Sequence, residues 1–281
     1  MSPRFVVVPQ WQGSASARAM RLIDGAEAIR GDLPASRTRV VDVPAEAGDG
    51  QGTGVQRFSA LATTRERLAA ELAAASAGDD PDWVLTVGGD CGVSLAAVEN
   101  AAARHPDDLA VVWFDAHPDL NTAASSPSGV FGGMVLRAIL GDGCDGLALR
   151  EGTVPPSRVV LAGARDIDPG EEEFIAGHGI RCIEAGDVST PDALVEAVRA
   201  TGARHVYVHV DLDVLDPADV AGLANPVPFG IRVPDLVAAI TALTQEFRVA
   251  GATLAGFSPA SPDAADDDLP AILRLIGALA R

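Results

Sequence analysis

The chain has 281 residues, of which 48% are hydrophobic, and a formal net charge of −18 at pH 7. An acidic balance of this size disfavours nucleic acid and anionic membrane as partners, but it is compatible with a cationic or zwitterionic small substrate. The sequence contains no lysine, which excludes Schiff-base chemistry, pyridoxal phosphate attachment and a Walker motif.

The cysteines and the apolar runs predict where the protein works. Cys91, Cys144 and Cys182 are widely spaced and odd in number, which is not a disulfide framework and favours a reducing compartment. The first residues have no signal-peptide pattern, and the apolar runs are too short to span a bilayer. We therefore expect a cytoplasmic protein.

Strand and helix patterns alternate along the chain. Short β-branched runs predict strands at residues 5–8, 39–43, 83–87, 109–114, 158–162, 180–183, 205–210 and 253–257. Apolar residues at helical spacing predict helices at residues 15–30, 63–75, 94–104, 170–178, 193–201, 234–244 and 269–280. Residues 63–66 suit a capping box, and the acidic run 263–268 suits a solvated loop. The alternation favours one α/β domain over 1–281 with a mostly parallel sheet covered on both faces.

Acidic side chains are concentrated directly after two of the predicted strands. Asp115, His117 and Asp119 follow one strand, and Asp211 and Asp213 follow another. Alternate residues of an extended chain share one face, so each set would point the same way. A single such motif is usually a helix cap or solvated loop, but two sets behind buried strands favour bound divalent cations. Oxygen ligands with imidazole suit Mn²⁺ best, then Zn²⁺ or Fe²⁺, and two ions would activate a shared water for C–N hydrolysis.

Three motifs resemble those of the ureohydrolase family, which includes arginase, agmatinase and formimidoylglutamase. They are Gly88-Gly89-Asp90-Cys91, DAHPDLN at 115–121 and DLDVLDP at 211–217. The resemblance implies a three-layer αβα fold with an eight-stranded sheet, two Mn²⁺ ions per chain and a homo-oligomer, a trimer or hexamer. It also implies that Asp115 and Asp211 bridge the ions, with Cys91 and Asp119 at one ion and His117 and Asp213 at the other. Asp119 would hold the attacking water.

The chain departs from the family pattern at three positions. Cys91 stands where a histidine ligand is usual, although ureohydrolases acting on Nω-hydroxy-arginine carry a similar cysteine. A thiolate favours the later metals; the alternative is a buried thiol with one ion loosely held or absent. Gly132 replaces the histidine that transfers protons in arginases, and Gly256 replaces the glutamate that holds the guanidinium. We expect these two glycines to open space beside the metals.

The amino-acid end of the substrate site is retained. By the same resemblance, Asn121 and Ser128 match residues that hold the α-carboxylate, and Asp168 and Glu171 match those that receive the α-amino group. We therefore predict hydrolysis of an amidino, ureido or related C–N group on a small amino acid, such as a modified arginine. His209, two residues before Asp211, is expected to be a core or second-layer histidine.

Two other functions remain open at this point. A catalytically degenerate paralogue would keep the fold and oligomer, bind one ion or none, and act as a binding or scaffold subunit. A metal-dependent deacylase would release acetate-type products instead of urea-type products.

Overall fold

The protein is described here by a computed structural model that covers residues 3–77 and 83–280. Within these residues, eight strands form one sheet in the order β2-β1-β3-β8-β7-β4-β5-β6, and every strand pair is parallel. The strands are β1 Arg4–Val8, β2 Thr38–Val40, β3 Val84–Gly88, β4 Leu109–Phe114, β5 Val159–Ala162, β6 Arg181–Ile183, β7 His205–Asp211 and β8 Arg248–Ala255.

Helices cover both faces of this sheet. They are α1 Arg21–Gly31, α2 Phe58–Ala75, α3 Ser94–Arg104, α4 Val135–Ile139, α5 Pro169–His178, α6 Pro191–Arg199, α7 Val233–Glu246 and α8 Pro262–Leu279. Short 3-10 turns at Cys91–Val93, Gly132–Met134 and Leu212–Val214 lie close to strand ends or loops.

Two apolar cores separate the three layers. Successive residues of β4 point to opposite sides, so Val112 belongs to the core that includes side chains of α1, α6, α7 and α8, and Val111 to the core that includes side chains of α2, α3 and α4. Each fully buried aliphatic side chain contributes roughly 1.5–3 kcal/mol. A strand buried on both sides must be apolar throughout, which is why β4 reads as an uninterrupted hydrophobic run. The predicted three-layer α/β fold is confirmed.

Two predictions about helix starts are wrong. α2 begins at Phe58, not at residue 63, and the hydroxyls of Thr63 and Thr64 donate to the carbonyls of Ser59 and Ala60 inside the helix. Threonine can satisfy its hydroxyl on the preceding turn as readily as at a cap, so the apparent capping box was ambiguous. α1 begins only at Arg21, after a series of turns.

The acidic run before the last helix is also not a loop. α8 begins at Pro262, with Ser261 Oγ accepting the N–H of Ala264. Asp268 is buried in this helix and accepts the backbone N–H groups of Ala221 and Gly222. A carboxylate that caps a distant loop looks like a surface residue in the sequence, which hid the first two turns of α8. The five-residue α4 was missed because it is too short to show a period.

The strand order brings four strand ends together. β3, β8, β7 and β4 are neighbours near the middle of the sheet, and functional groups of parallel sheets collect at such carboxyl ends. No helix within the described residues is long and apolar enough to cross a membrane.

Candidate metal centre

The predicted site residues converge on one cavity at the carboxyl edge of the sheet. Cys91 begins the turn that follows β3, Asp115 directly follows β4, and Asp211 ends β7. The cavity has a volume of about 380 Å³, within the usual range for small-molecule sites. It is lined by every predicted ligand and substrate-binding residue: Cys91, Asp115, His117, Asp119, Asn121, Ser128, Asp168, Glu171, Asp211 and Asp213.

The candidate ligand atoms fall into two groups that share Asp115. One contains Cys91, Asp115, Asp119 and His209, and the other contains Asp115, His117 and Asp213; within each group the ligand atoms lie within 4.8 Å of one another. Asp211 lies beside the first group, because its Oδ2 accepts a hydrogen bond of 2.8 Å from Cys91 Sγ. A carboxylate common to two groups suits a site for two neighbouring ions.

The acids in this cavity repel one another. Burial, followed by the charges of Asp211 and Asp115, raises the pKa of Asp213 well above its ordinary value. Burial also raises the pKa of Asp119, with Asp115 adding to the shift. The Cys91 thiol is affected in the same way, because burial and the nearby Asp211 raise its pKa. These raised pKa values favour the protonated forms in the absence of a cation, and a bound divalent ion would displace the protons.

His117 supplies the compensating charge among the carboxylates. Its Nδ1 lies 3.3 Å from Asp115 Oδ1 and 3.2 Å from Asp213 Oδ2. Burial lowers the pKa of His117, but hydrogen bonds to the two carboxylates outweigh it and raise this pKa to about 12. Burial raises the pKa of Asp115, but the hydrogen bond and charge of His117, with His209 also contributing, outweigh it and lower this pKa. The positive charge of the His117 imidazolium therefore stabilises the neighbouring carboxylates, as the charge of a bound metal ion would.

The donor set fits a divalent transition metal. Asp119 Oδ2 and His209 Nε2 are buried and have no hydrogen-bond partner among the described residues. Unpaired buried polar atoms are costly and call for an explanation such as a bound ion. Four carboxylates with imidazole nitrogen and one sulfur suit Mn²⁺, Fe²⁺ or Zn²⁺.

The residues assigned to the amino-acid end lie along the loop that follows β4 and at the start of α5. Asn121 Nδ2 donates to Asp168 Oδ2 at 2.8 Å. Both oxygens of Glu171 accept backbone N–H groups, from Leu120 and Asp168, so this buried side chain ties α5 to the loop. Ser128 is exposed at the rim. The observed contacts of Glu171 are those of a positioning residue; its direct contact with substrate stays a prediction.

Gly132 and Gly256 were expected to open space beside the metals. This expectation is wrong, because other atoms occupy the positions where their side chains would begin. A Cβ at Gly132 would lie 2.7 Å from the Gly13 carbonyl oxygen, and one at Gly256 would lie 2.1 Å from Asp211 Oδ1. Gly256 also has a φ of +85°, which disfavours any other residue. The N-terminal loop fills the first position, because Gly132 N donates to Gly13 O.

Sequence reasoning missed the role of Asp90. His209, expected to be a core or second-layer histidine, is fully buried on β7. Asp90 accepts hydrogen bonds from Gln10 Nε2 and from the N–H groups of Gly13 and Gly92. Burial raises the pKa of Asp90 to about 6, although these hydrogen bonds oppose the change. Asp90 thereby anchors the N-terminal loop beside the metal centre.

Comparisons with known proteins agree with this geometry. The sequence model of the arginase family matches residues 17–274. An N(omega)-hydroxy-L-arginine amidinohydrolase from Streptomyces lavendulae is 32% identical over 270 residues, 95% of this chain and 90% of that protein. An arginase from Bacillus caldovelox is 35% identical over 210 residues, 72% of this chain and 67% of that protein.

A solved structure shares the fold over almost the full length. The arginase of Entamoeba histolytica, crystallised with L-ornithine, superposes with a TM-score of 0.84 at 22% identity, covering 99% of this chain and 100% of that one. The family match and the relatives show that this chain belongs to the arginase family.

Proposed function

We propose that this protein is a metal-dependent hydrolase that cleaves a C–N bond in an amidino, ureido or related group of a small amino acid. The observation that carries the proposal is that Asp115, which lines the cavity, belongs to both groups of candidate ligand atoms. Two divalent ions per chain would satisfy both groups. Mn²⁺ is the preferred metal because oxygen donors dominate, with Zn²⁺ or Fe²⁺ as alternatives.

Each ligand has a role that its position supports. Asp115 and Asp211 would hold both ions, Cys91 and Asp119 would complete one site, and His117 and Asp213 would complete the other. The ions, when bound, would lower the pKa of water and polarise the scissile group. Asp119 would act as the catalytic residue, because its unpartnered Oδ2 can accept a hydrogen bond from the attacking water and orient it.

The far end of the cavity suits an α-amino acid. Asp168 and Glu171 bring negative charge to the wall, which would attract an ammonium group. Asn121 and Ser128 also line the cavity and offer an amide and a hydroxyl to a carboxylate. These four residues would hold the substrate so that its side chain reaches Asp119.

The head group of the substrate is inferred from what the cavity lacks. Gly256 offers no acid, and losing a buried partner removes about 3–5 kcal/mol of interaction with a cationic group. Gly132 leaves no room for an imidazole, so a proton for the leaving group must come from water or from the substrate. An N-modified guanidino group or a ureido group suits these conditions better than plain arginine, and the name of the Streptomyces lavendulae relative points the same way.

A substrate screen of the Mn²⁺-loaded protein tests this proposal. We expect Nω-hydroxy-arginine or a ureido amino acid to react with a kcat/KM at least about 100-fold above that of arginine. A matched compound that lacks the α-carboxylate should react poorly. Efficient hydrolysis of arginine near neutral pH would refute the proposed selectivity, and a chain inert towards the library would favour the scaffold paralogue. Acetate-type products would identify a deacylase.

The setting of the enzyme is part of the same proposal. We take residues 1–281 as one domain acting in the cytoplasm on a small molecule, with a homo-oligomer, trimer or hexamer, as the working form. The cysteine spacing supports a reducing compartment. Gel filtration with light scattering would measure the oligomer size.

A further inference from the structure

His209 has the position and the free atom of a metal ligand. It lies on β7 two residues before Asp211, and its side chain is fully buried. Its Nε2 lies 3.7 Å from Asp115 Oδ2, which is too long for a hydrogen bond. That nitrogen has no hydrogen-bond partner among the described residues, yet it groups with ligand atoms of Cys91, Asp115 and Asp119.

The surroundings of the imidazole fix its orientation. The Trp113 ring stacks on it with a centroid distance of 3.6 Å and an interplanar angle of 15°. Its Nδ1 lies 2.9 Å from Ser94 Oγ. The stacked Trp113 ring and this contact hold the imidazole, which cannot turn without losing the contact to Ser94.

This arrangement is typical of a ligating histidine. Such residues donate one ring N–H to a neighbouring acceptor, which leaves the lone pair of the other nitrogen for the metal. Ser94 Oγ can accept from Nδ1, so Nε2 would face the ligand group as a free donor atom.

The charge of the site favours a neutral donor here. Cys91 as a thiolate and the four aspartates Asp115, Asp119, Asp211 and Asp213 would bring five negative charges to two divalent ions. Imidazole adds a ligand atom and no further charge. We propose that His209 Nε2 coordinates the ion held by Cys91, Asp115 and Asp119, an inference that rests on the metal-dependent function proposed above.

Metal binding without substrate provides the test. Mn²⁺ is titrated into the full-length protein, into His209→Ala and into His205→Ala. His205 is the matched control: it begins the same strand but contacts Asp108 at the opposite end of the sheet. We expect two ions in the wild type, an affinity for one of them at least about tenfold weaker in His209→Ala, and no change in His205→Ala.

Diffraction from wild-type crystals soaked in Mn²⁺ shows whether His209 coordinates the ion or only lies near it. This experiment does not depend on the folding of a variant. Anomalous peaks should locate an ion on the order of 2 Å from Nε2. Two bound ions with Nε2 out of contact, or an unaltered affinity in folded His209→Ala, would overturn the assignment and leave the proposed hydrolase intact. A wild type that binds no ion would overturn both.

Discussion

Asp119 combines an unusual backbone with a buried carboxyl oxygen that has no hydrogen-bond partner among the described residues. Its φ is +53°, a left-handed conformation that L-residues other than Asn and Asp seldom adopt. Its Oδ2 is buried without a hydrogen-bond partner among the described residues. Such strained residues cluster at functional sites, where the surrounding structure enforces them.

Asp119→Asn should separate the chemical role of this residue from its conformational one. Asparagine tolerates the left-handed backbone and removes the charge, so we expect kcat to fall at least about 100-fold. The metal-free variant should keep or gain thermal stability, because a buried carboxylate is removed. Asp119→Ala is the control and should unfold more easily, by roughly 1–2 kcal/mol. Wild-type turnover in Asp119→Asn would exclude Asp119 as the catalytic group.

Cys91→Ser should change the metal preference of the centre. A sulfur ligand favours Zn²⁺ over Mn²⁺, whereas a hydroxyl does not. We expect the ratio of Zn²⁺ to Mn²⁺ affinity to fall about tenfold or more, measured by competitive titration. Cys182→Ser is the control, because Cys182 is exposed and far from the cavity. An unchanged ratio would mean that the thiol is not a ligand.

At the scale of elements, prediction succeeded where local pattern and burial coincide. β4 and α3 have the predicted bounds. β4 ends where an apolar run meets Asp115, and α3 begins at Ser94. Both boundaries are therefore marked by residues that are adjacent in the sequence. The predicted last helix was too short because Asp268, expected in a loop, accepts the N–H groups of Ala221 and Gly222. These residues lie 47 and 46 positions earlier in the chain. No periodicity in the sequence reports such a contact.

The Gly132–Met134 turn offers a paired test of close packing. A Cβ at Gly132 would press on the Gly13 carbonyl, whereas one at Gly133 would have no atom within 4 Å. Gly132→Ala should therefore lower the free energy of unfolding by about 1–3 kcal/mol. Gly133→Ala should change it by less than about 0.5 kcal/mol. Urea unfolding measures both changes in the free energy of unfolding. Equal changes in the two variants would show that the N-terminal loop can move away from a side chain at position 132 at little cost.

At the scale of the whole molecule, the buried acids couple stability to pH and to metal. A group whose pKa is raised by folding stabilises the folded protein at pH values below its pKa in the unfolded chain. This contribution is lost as the pH rises through the pKa of the group in the folded protein. For Asp90 this window runs from 3.8 to about 6. Asp119, Asp213 and Cys91 shift in the same direction.

We therefore expect the metal-free protein to become less stable as the pH rises from 3.8 to about 6, and further at the higher pH where Asp119, Asp213 and Cys91 lose their protons. Mn²⁺ should raise the melting temperature more at the higher pH, because ligands there need to release fewer protons. Differential scanning fluorimetry with and without Mn²⁺ measures both trends. Asp90→Asn is the control and should flatten only the lower part of the metal-free profile. A smaller Mn²⁺ effect at pH 8 would contradict this account.

The sequence alone determined the layered α/β fold and the chemical types of the candidate metal ligands. Apolar strands followed directly by Asp115 and Asp211 are local patterns, and parallel strands must bring their carboxyl ends to one edge. Only the tertiary structure decided that His209 Nε2 and Asp119 Oδ2 have no hydrogen-bond partner among residues 3–77 and 83–280, and that Gly132 has no room for a side chain. These properties depend on contacts between residues that are mostly far apart in the chain, such as Gly132 with Gly13 and Ser94 with His209. Tertiary packing determines these properties, and the periodicity of the sequence carries no information on contacts between residues so far apart in the chain.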